Sequence, residues 1–336
     1  MGKSSKRIAV AIGLLIGGLF LWLALRDVQL SAVASSLRSA NLWMAIPFLL
    51  SLATFYWLKA VRWSILLHPT REIPARELMP SMMIGFAGNN VLPVRLGELI
   101  RVYTLGREQD LSKSTILGTV VLERVFDVVT MLVLVTVAMY ATSLDSTEFD
   151  AARSFMLIAA LLAVSTTYAV AAAPPWLVRI LGPIIHVIPP RFRSGIQQKL
   201  TLLRQGFAVL TESPGHVLIK ISFNSLVQWA LLAACIYFAA VAFDVSASPS
   251  IAVLILGLIV VGISLPGAPA FIGTVEYCFV LGLGFIGVTP DSALSVGLFY
   301  HALTFLSVTI SGAIYLRRLN TSFGNLARRV SDTNID

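Results

Sequence analysis

Gly88-Asn-Asn-Val-Leu-Pro93-Val-Arg95-Leu-Gly-Glu98-Leu-Ile-Arg101 and Leu265-Pro266-Gly267-Ala268-Pro269 decide the reading, because each interrupts an apolar stretch, the first over 78–94 and the second over 250–288. Proline removes a backbone donor and clashes with the carbonyl one turn back, so neither stretch continues as one straight helix. Around them lie six unbroken apolar runs at 8–25, 42–58, 115–141, 155–173, 217–243 and 293–316. About 20 apolar residues cover the roughly 30 Å of hydrocarbon in a bilayer, and these runs are of that order. Of 336 residues, 57% are hydrophobic and 12% charged, with a mean hydropathy of +0.84; a soluble domain carries roughly 25% charged residues. The chain reads as an all-α polytopic membrane protein.

Cytoplasmic loops close to the membrane hold an excess of lysine and arginine. The basic segments are the N-terminus; Lys59, Arg62, Arg71 and Arg76; Arg95, Arg101, Arg107 and Lys113; Arg179 to Arg204; and Arg317, Arg318, Arg328 and Arg329. The segments 26–41, 142–154 and 244–249 are poor in positive charge and are assigned to the outer face. Both flanks of 78–94 are then inside and both flanks of 250–288 outside, so each broken stretch enters and leaves by one face. This gives about six full transmembrane helices and two re-entrant helical hairpins in an inverted-topology repeat. Its halves are approximately 1–141 and 155–316, in a single membrane domain over 1–336 with both termini cytoplasmic and 317–336 a cytoplasmic tail. Eight ordinary spans with two proline kinks is the alternative. Leu92-Pro93 followed by Gly97-Glu98 echoes Leu265-Pro266 followed by Gly273 and Glu276. The first run follows Lys3, Lys6 and Arg7, but it exceeds a signal-peptide core, and 26–29 separates it from the small residues 32–34, so an uncleaved span is expected.

Ionisable side chains at membrane depth are expensive and tend to face a cavity or a partner, which makes them the site candidates. Here they are Arg95, Glu98 and Arg101, beside Asn89 and Asn90 of the first hairpin; Glu123, Arg124 and Asp127 of the following span; Glu276 of the second hairpin; and His301 of the last span, next to Tyr300. Glu123 and Asp127 are four apart and share a helix face. A buried ion-pair network joining hairpin to span is one reading; arginines holding a phosphate by paired hydrogen bonds is the other, and the two are compatible. Pro266, Gly267, Pro269 and Gly273 shape the second break, where free amides and a helix N-terminus favour an anion. Glu276 either pairs with an arginine or titrates; His301 is either a core histidine or a relay.

Cys235 and Cys278 lie in apolar runs and form neither a disulfide framework nor a metal spacing, and the four histidines are scattered. Neither a Gly-x4-Gly-Lys-Ser/Thr loop nor a Gly-x-Ser-x-Gly elbow is present. No cofactor, metal or nucleic-acid partner is expected. Gly13-x-x-x-Gly17 raises the option of a homo-oligomer through helix packing. The 174–216 loop, with Pro-Pro-Arg-Phe-Arg at 189–193, reads as an interfacial segment drawn to anionic lipid.

Lys59-Ala-Val-Arg62-Trp63, the 88–101 run, Glu123-Arg124-Val-Phe-Asp127 and Pro266-Gly-Ala-Pro-Ala-Phe-Ile-Gly273-Thr-Val-Glu276 together resemble the membrane domain of the lysylphosphatidylglycerol synthase/flippase family. The resemblance runs through almost the whole chain and adds Arg62 to the candidate site. Full-length members of that family join this membrane part, associated with moving lipid between leaflets, to a soluble domain that transfers lysine from charged tRNA to phosphatidylglycerol. The chain ends about 20 residues after its last apolar run, so the resemblance implies lipid handling without aminoacyl transfer and does not fix the lipid.

The expected function is that of a translocase of the inner (cytoplasmic) membrane, moving a phospholipid, glycolipid or polyprenyl phosphate between leaflets without ATP hydrolysis. Arg95, Arg101 and Arg124 are expected to contact phosphate, with Glu98, Glu123 and Asp127 orienting them. The alternative is a membrane enzyme transferring a group to or from a phospholipid or polyprenyl phosphate. The hairpin topology predicts that cysteines placed at Pro249 and Asp291 label from the same side of the membrane; labelling from opposite sides refutes it.

Overall fold

The computed structural model describes residues 3–92, 96–142, 147–171, 214–265, 268–319 and 321–332. Pro93 and Arg95 of the first break, Pro266 and Gly267 of the second, and the Pro-Pro-Arg-Phe-Arg segment lie outside the described residues. Within them there are twelve α-helices: α1 (Lys3–Leu25), α2 (Leu30–Ser39), α3 (Ala45–Leu67), α4 (Ala75–Val91), α5 (Gly97–Glu108), α6 (Lys113–Ala141), α7 (Thr147–Ala171), α8 (Gly215–Val241), α9 (Pro249–Ser264), α10 (Thr274–Gly284), α11 (Pro290–Arg318) and α12 (Phe323–Asp332). Local chemistry sets several starts. Ser248 accepts the Ile251 N–H ahead of α9, and α9 and α11 open with proline in the first turn, where its missing donor is not needed.

The chain is a multi-pass membrane protein. Leu42–Leu67, Phe149–Thr167, Gly215–Val241 and Pro290–Arg318 are long and apolar enough to cross a bilayer, and α1 with α2, bent by 80° at their junction, is a fifth if the pair counts as one span. That is fewer than the six full spans expected. The 8–25 run belongs to the bent pair, and α6, though 29 residues long, carries Glu123, Arg124 and Asp127 in its middle. Leu50, Phe155, Leu162, Ile219, Phe223 and Ile310 are exposed on these helices. Such a continuous apolar exterior suits lipid rather than water.

Each broken stretch is a helix pair, α4 with α5 and α9 with α10, packed arm against arm. The packing is reciprocal between the two parts of the chain. Helices α3 and α8 pack on each other; α4 lies on α11 and α9 on α6; α2 lies on α11 and α7 on α6. Small residues permit the closest approaches. A Cβ on Gly97 would stand 1.9 Å from the Gly85 carbonyl oxygen, so the arms of the first pair meet backbone to backbone. Gly13 and Gly17 of α1 are buried, and a Cβ on Gly17 would stand 2.5 Å from Ala268, so this small-residue face is occupied within the chain by the second break.

The two ends of the molecule differ in charge. At one, the Gln29 N–H donates to Asp291 at 2.6 Å, the Asn41 N–H to the Ala242 carbonyl at 2.8 Å, and Phe149 meets Phe285 edge-on. All three segments poor in basic residues therefore gather there, together with the start of α9 and the end of α10. At the other end Arg71 donates to the Gln109 carbonyl, and α12 packs on α5 near Arg107. The segment 317–336, expected as a tail, is structured over much of its length: Arg317 and Arg318 close α11, and α12 buries Leu326 against Ile84, Ile100 and Leu316. Gly97→Ala is expected to destabilise the protein by about 1–3 kcal/mol through overpacking, read as a lower melting temperature in detergent, whereas Gly18→Ala, where a Cβ meets nothing within 4 Å, is expected to leave it unchanged.

Candidate functional site

Helix periodicity places Lys59, Arg62 and Trp63 on one face of α3 and Glu123 and Asp127 on one face of α6, and packing turns the two faces toward each other. Lys59 Nζ lies 2.9 Å from Glu123 Oε1 and 3.4 Å from Asp127 Oδ2. Arg62 Nη2 donates to Asp127 Oδ1 at 2.7 Å and lies 3.4 Å from Glu123; its Nη1 donates to the Ser225 hydroxyl at 2.8 Å. Arg101 of α5 donates to Glu123 Oε2 at 2.9 Å and lies 3.5 Å over the Trp63 ring. Trp229 Nε1 donates to Asp127 at 3.1 Å. Glu123 and Arg62 are fully buried, and Lys59, Arg101 and Asp127 nearly so.

Buried charges persist only when paired and hydrogen-bonded, and this network ties α3, α5, α6 and α8 together. The positive-inside reading places Lys59, Arg62 and Arg101 in cytoplasmic loops. They are interior instead, because α3 and α5 extend through their positions and Glu123 and Asp127 supply their counter-charge. The Nε atoms of Arg62 and Arg101 have no hydrogen-bond partner among the described residues. At the edge of the network Arg124 donates to Glu98 at 2.7 Å and lies 3.6 Å from Asp127. With side chains 44% and 38% exposed, Arg124 and Glu98 are its accessible members.

A cavity of 490 Å³ runs from this edge to the second break. Glu98, Arg124 and Asp127 line one side; Ala270, Phe271, Tyr300 and His301 line the other; Asn89 and Asn90 also face it. Asn89 accepts the Gly97 N–H at 2.9 Å and so caps the start of α5, while Asn90 donates to Thr309 at 3.1 Å. In the second break Glu276 Oε2 accepts the Gly273 N–H at 2.7 Å, and Glu276 Oε1 lies 2.6 Å from His301 Nδ1. His301 Nε2 lies 2.9 Å from the Ala270 carbonyl. Tyr300 packs its ring on Phe48 and Phe279. Pro269 opens the short 3₁₀ turn Pro269–Phe271.

The structure thus brings Asn89, Asn90, Glu98, Arg124, Asp127, Tyr300 and His301 to one cavity, with Glu276 behind His301. Arg62, Arg101 and Glu123 stand behind its wall. Sequence reasoning missed Lys59, Trp63, Ser225 and Trp229. Lys59 is three residues before Arg62 on the same helix face, which is the signal that could have found it; Ser225 and Trp229 sit in an apolar span that carries no such signal. Among the described residues no cluster of histidine, cysteine and carboxylate side chains is arranged to hold a metal.

A cavity lined by both charged and apolar side chains, beside two interrupted helix pairs of a multi-pass membrane protein, defines a class of protein rather than a reaction. The chain belongs to the lysylphosphatidylglycerol synthase TM region family, which it matches over residues 10–312. It is similar to the UPF0104 membrane protein MJ1078 of Methanocaldococcus jannaschii, with 24% identity over 230 residues that cover 67% of this chain and 91% of that relative. No solved structure matches it.

Glu123→Gln leaves Arg101 with no carboxylate partner and Lys59 and Arg62 facing Asp127 alone, and a broken buried network costs about 3–5 kcal/mol. Thermal unfolding in detergent should show that loss, while Arg124→Gln, at a half-exposed pair worth about 1 kcal/mol at most, should barely shift the transition.

Proposed function

We propose that the chain is a lipid translocase of the inner membrane, moving a lipid with a phosphate-bearing or other polar headgroup between leaflets without hydrolysing ATP. The observation that carries this reading is the cavity itself. It has a charged end at Glu98, Arg124 and Asp127, and an apolar rim at Val128, Val260 and Ile263, of which Val128 is 55% exposed on the outer surface. A headgroup would occupy the charged end while its tails stay in the bilayer. Four cations, Lys59, Arg62, Arg101 and Arg124, face three carboxylates, Glu98, Glu123 and Asp127. The excess of one positive charge favours a ligand with one negative charge, such as a phosphodiester.

Helix pairs α4–α5 and α9–α10 act in this proposal as the two re-entrant hairpins of an inverted repeat. The reciprocal packing of α4 on α11 and α9 on α6 supports that symmetry, and broken helices meeting at a repeat interface are where secondary transporters place substrate. The end bearing Arg71, Arg107, Arg317 and Arg318 would be cytoplasmic, by the bias of inside loops toward positive charge. Arg124 is the arginine best placed to meet phosphate, releasing Glu98 as it does so; Arg101, held between Trp63 and Glu123, positions the wall. Arg95 follows the first break and is proposed as a second phosphate contact.

In proteoliposomes carrying fluorescent phospholipids, the wild type should expose inner-leaflet label to dithionite. Arg124→Ala should cut the initial rate by about tenfold or more, the equivalent of about 1.4 kcal/mol of lost headgroup contact, with its melting temperature unchanged. Equal rates in both would refute the role of Arg124. A metal-dependent change in lipid mass, with no change of leaflet, would mark the chain as an enzyme instead.

A further inference from the structure

We propose that Glu276 and His301 form a proton-binding site whose occupancy holds the second break against the cavity, so that lipid movement is coupled to a proton; this rests on the translocase reading. Donors and acceptors fix the proton count. The Ala270 carbonyl can only accept, so His301 Nε2 at 2.9 Å carries a hydrogen. Nδ1 then faces Glu276 Oε1 at 2.6 Å, a distance at which two lone pairs repel and one shared proton attracts. The arrangement therefore contains one proton beyond those of a neutral imidazole and an ionised carboxylate.

Loss of that proton to water in the cavity has two outcomes. The imidazole keeps its Nε2–H and its lone pair opposes the carboxylate, or it moves the hydrogen to Nδ1 and releases Ala270. Either way the clamp on the break opens. The clamp has a strained segment to hold. Ala270 and Phe271 both have φ +59°, a conformation uncommon outside glycine, and Gly273 follows at +86°. Strained backbone of this kind persists only where surrounding contacts over-determine it, and besides the packing of α1 and α4 on the turn these include His301 at Ala270 and Glu276 at the Gly273 N–H.

A proton suits this site better than a metal cation: Glu276 is buried, each of its oxygens already meets a partner, and among the described residues no second carboxylate or cysteine joins it and His301 in a metal-holding cluster. Few other groups compete. They are Tyr277 and Cys278 on α10, Tyr300 on α11, and Tyr56 on α3 with Glu98, Arg124 and Asp127 across the cavity. Helix α9, and α1 over the residues 11–25 that pack on α10 through Phe20 and Tyr277, contain no titratable residue.

The test uses the full chain in proteoliposomes with Ile272→Cys, a half-exposed position in the break, labelled with an environment-sensitive fluorophore; Cys235 and Cys278 are buried. Emission of the otherwise wild-type protein should change with pH as a one-proton curve, and Glu276→Gln should flatten it. With a pH gradient, wild-type lipid should become asymmetric between leaflets by up to about tenfold per pH unit, the ratio that one coupled proton supports, and Glu276→Gln should equilibrate it without asymmetry. Flat emission in the wild-type background overturns the proton site whatever the lipid does. Emission that titrates while no lipid moves overturns the translocase reading and leaves the proton site standing. Should the labelled variant misfold, hydrogen exchange of the 268–284 segment in unmodified protein, corrected for the intrinsic pH dependence, decides the same question: faster exchange after deprotonation supports the clamp and unchanged exchange overturns it.

Discussion

Glu123 is the point on which the rest of the structure depends. A fully buried carboxylate inside a membrane protein cannot be solvated by water, so it must be matched by cations from its own chain. Lys59 from α3, Arg62 from the same helix and Arg101 from α5 supply them. Asp127, one turn along α6, shares Lys59 and Arg62 and takes the Trp229 indole. These contacts fix the angle between three helices whose apolar surfaces alone would leave it undetermined, since side chains of leucine and valine are as comfortable against lipid as against each other. With the interior fixed in this way, the accessible pair Arg124 and Glu98 is presented at a defined edge of the cavity.

The two helical breaks solve one problem with different residues. A helix interrupted at membrane depth frees backbone amides that hydrocarbon cannot satisfy. Asn89 accepts the Gly97 amide in the first break, and Glu276 accepts the Gly273 amide in the second. The cap of the first break is a neutral side chain. The acidic cap ties the second to its histidine partner, which makes the two ends of the cavity chemically unlike: a permanent cation and two carboxylates at one, a carboxylate–imidazole pair at the other. A headgroup held between them would feel both, which is the physical basis for treating the proposed translocation and the proposed proton site as one device.

Much of the fold was legible in the sequence. The apolar runs and the prolines between them located four of the six expected spans and both broken pairs, because hydrophobic length and backbone donor loss act locally. The charge-poor segments 26–41, 142–154 and 244–249 were grouped by sequence, and contacts such as Gln29 with Asp291 and Asn41 with Ala242 gather them at one end. Most of the candidate residues were also visible, since an ionisable side chain in an apolar run announces its cost. Lys59, Arg62 and Arg101 also fell among the basic flanking segments, because they lie near the ends of apolar runs, where a cation at an interface and a cation in a buried pair look alike.

By itself, then, the sequence determined that the chain enters a membrane, where its helices break, and which side chains need partners, because composition, proline and charge act over a single turn or a single run. Only the tertiary structure decided who those partners are. Pairs such as Arg62 with Ser225, 163 residues apart, and Gln29 with Asp291, 262 apart, depend on how helices pack, and so does the placing of Gly17 as a seat for the second break. The join between Glu276, His301 and Ala270 is likewise tertiary: a carboxylate, an imidazole and a carbonyl become one proton site only when α10, α11 and the break between α9 and α10 converge.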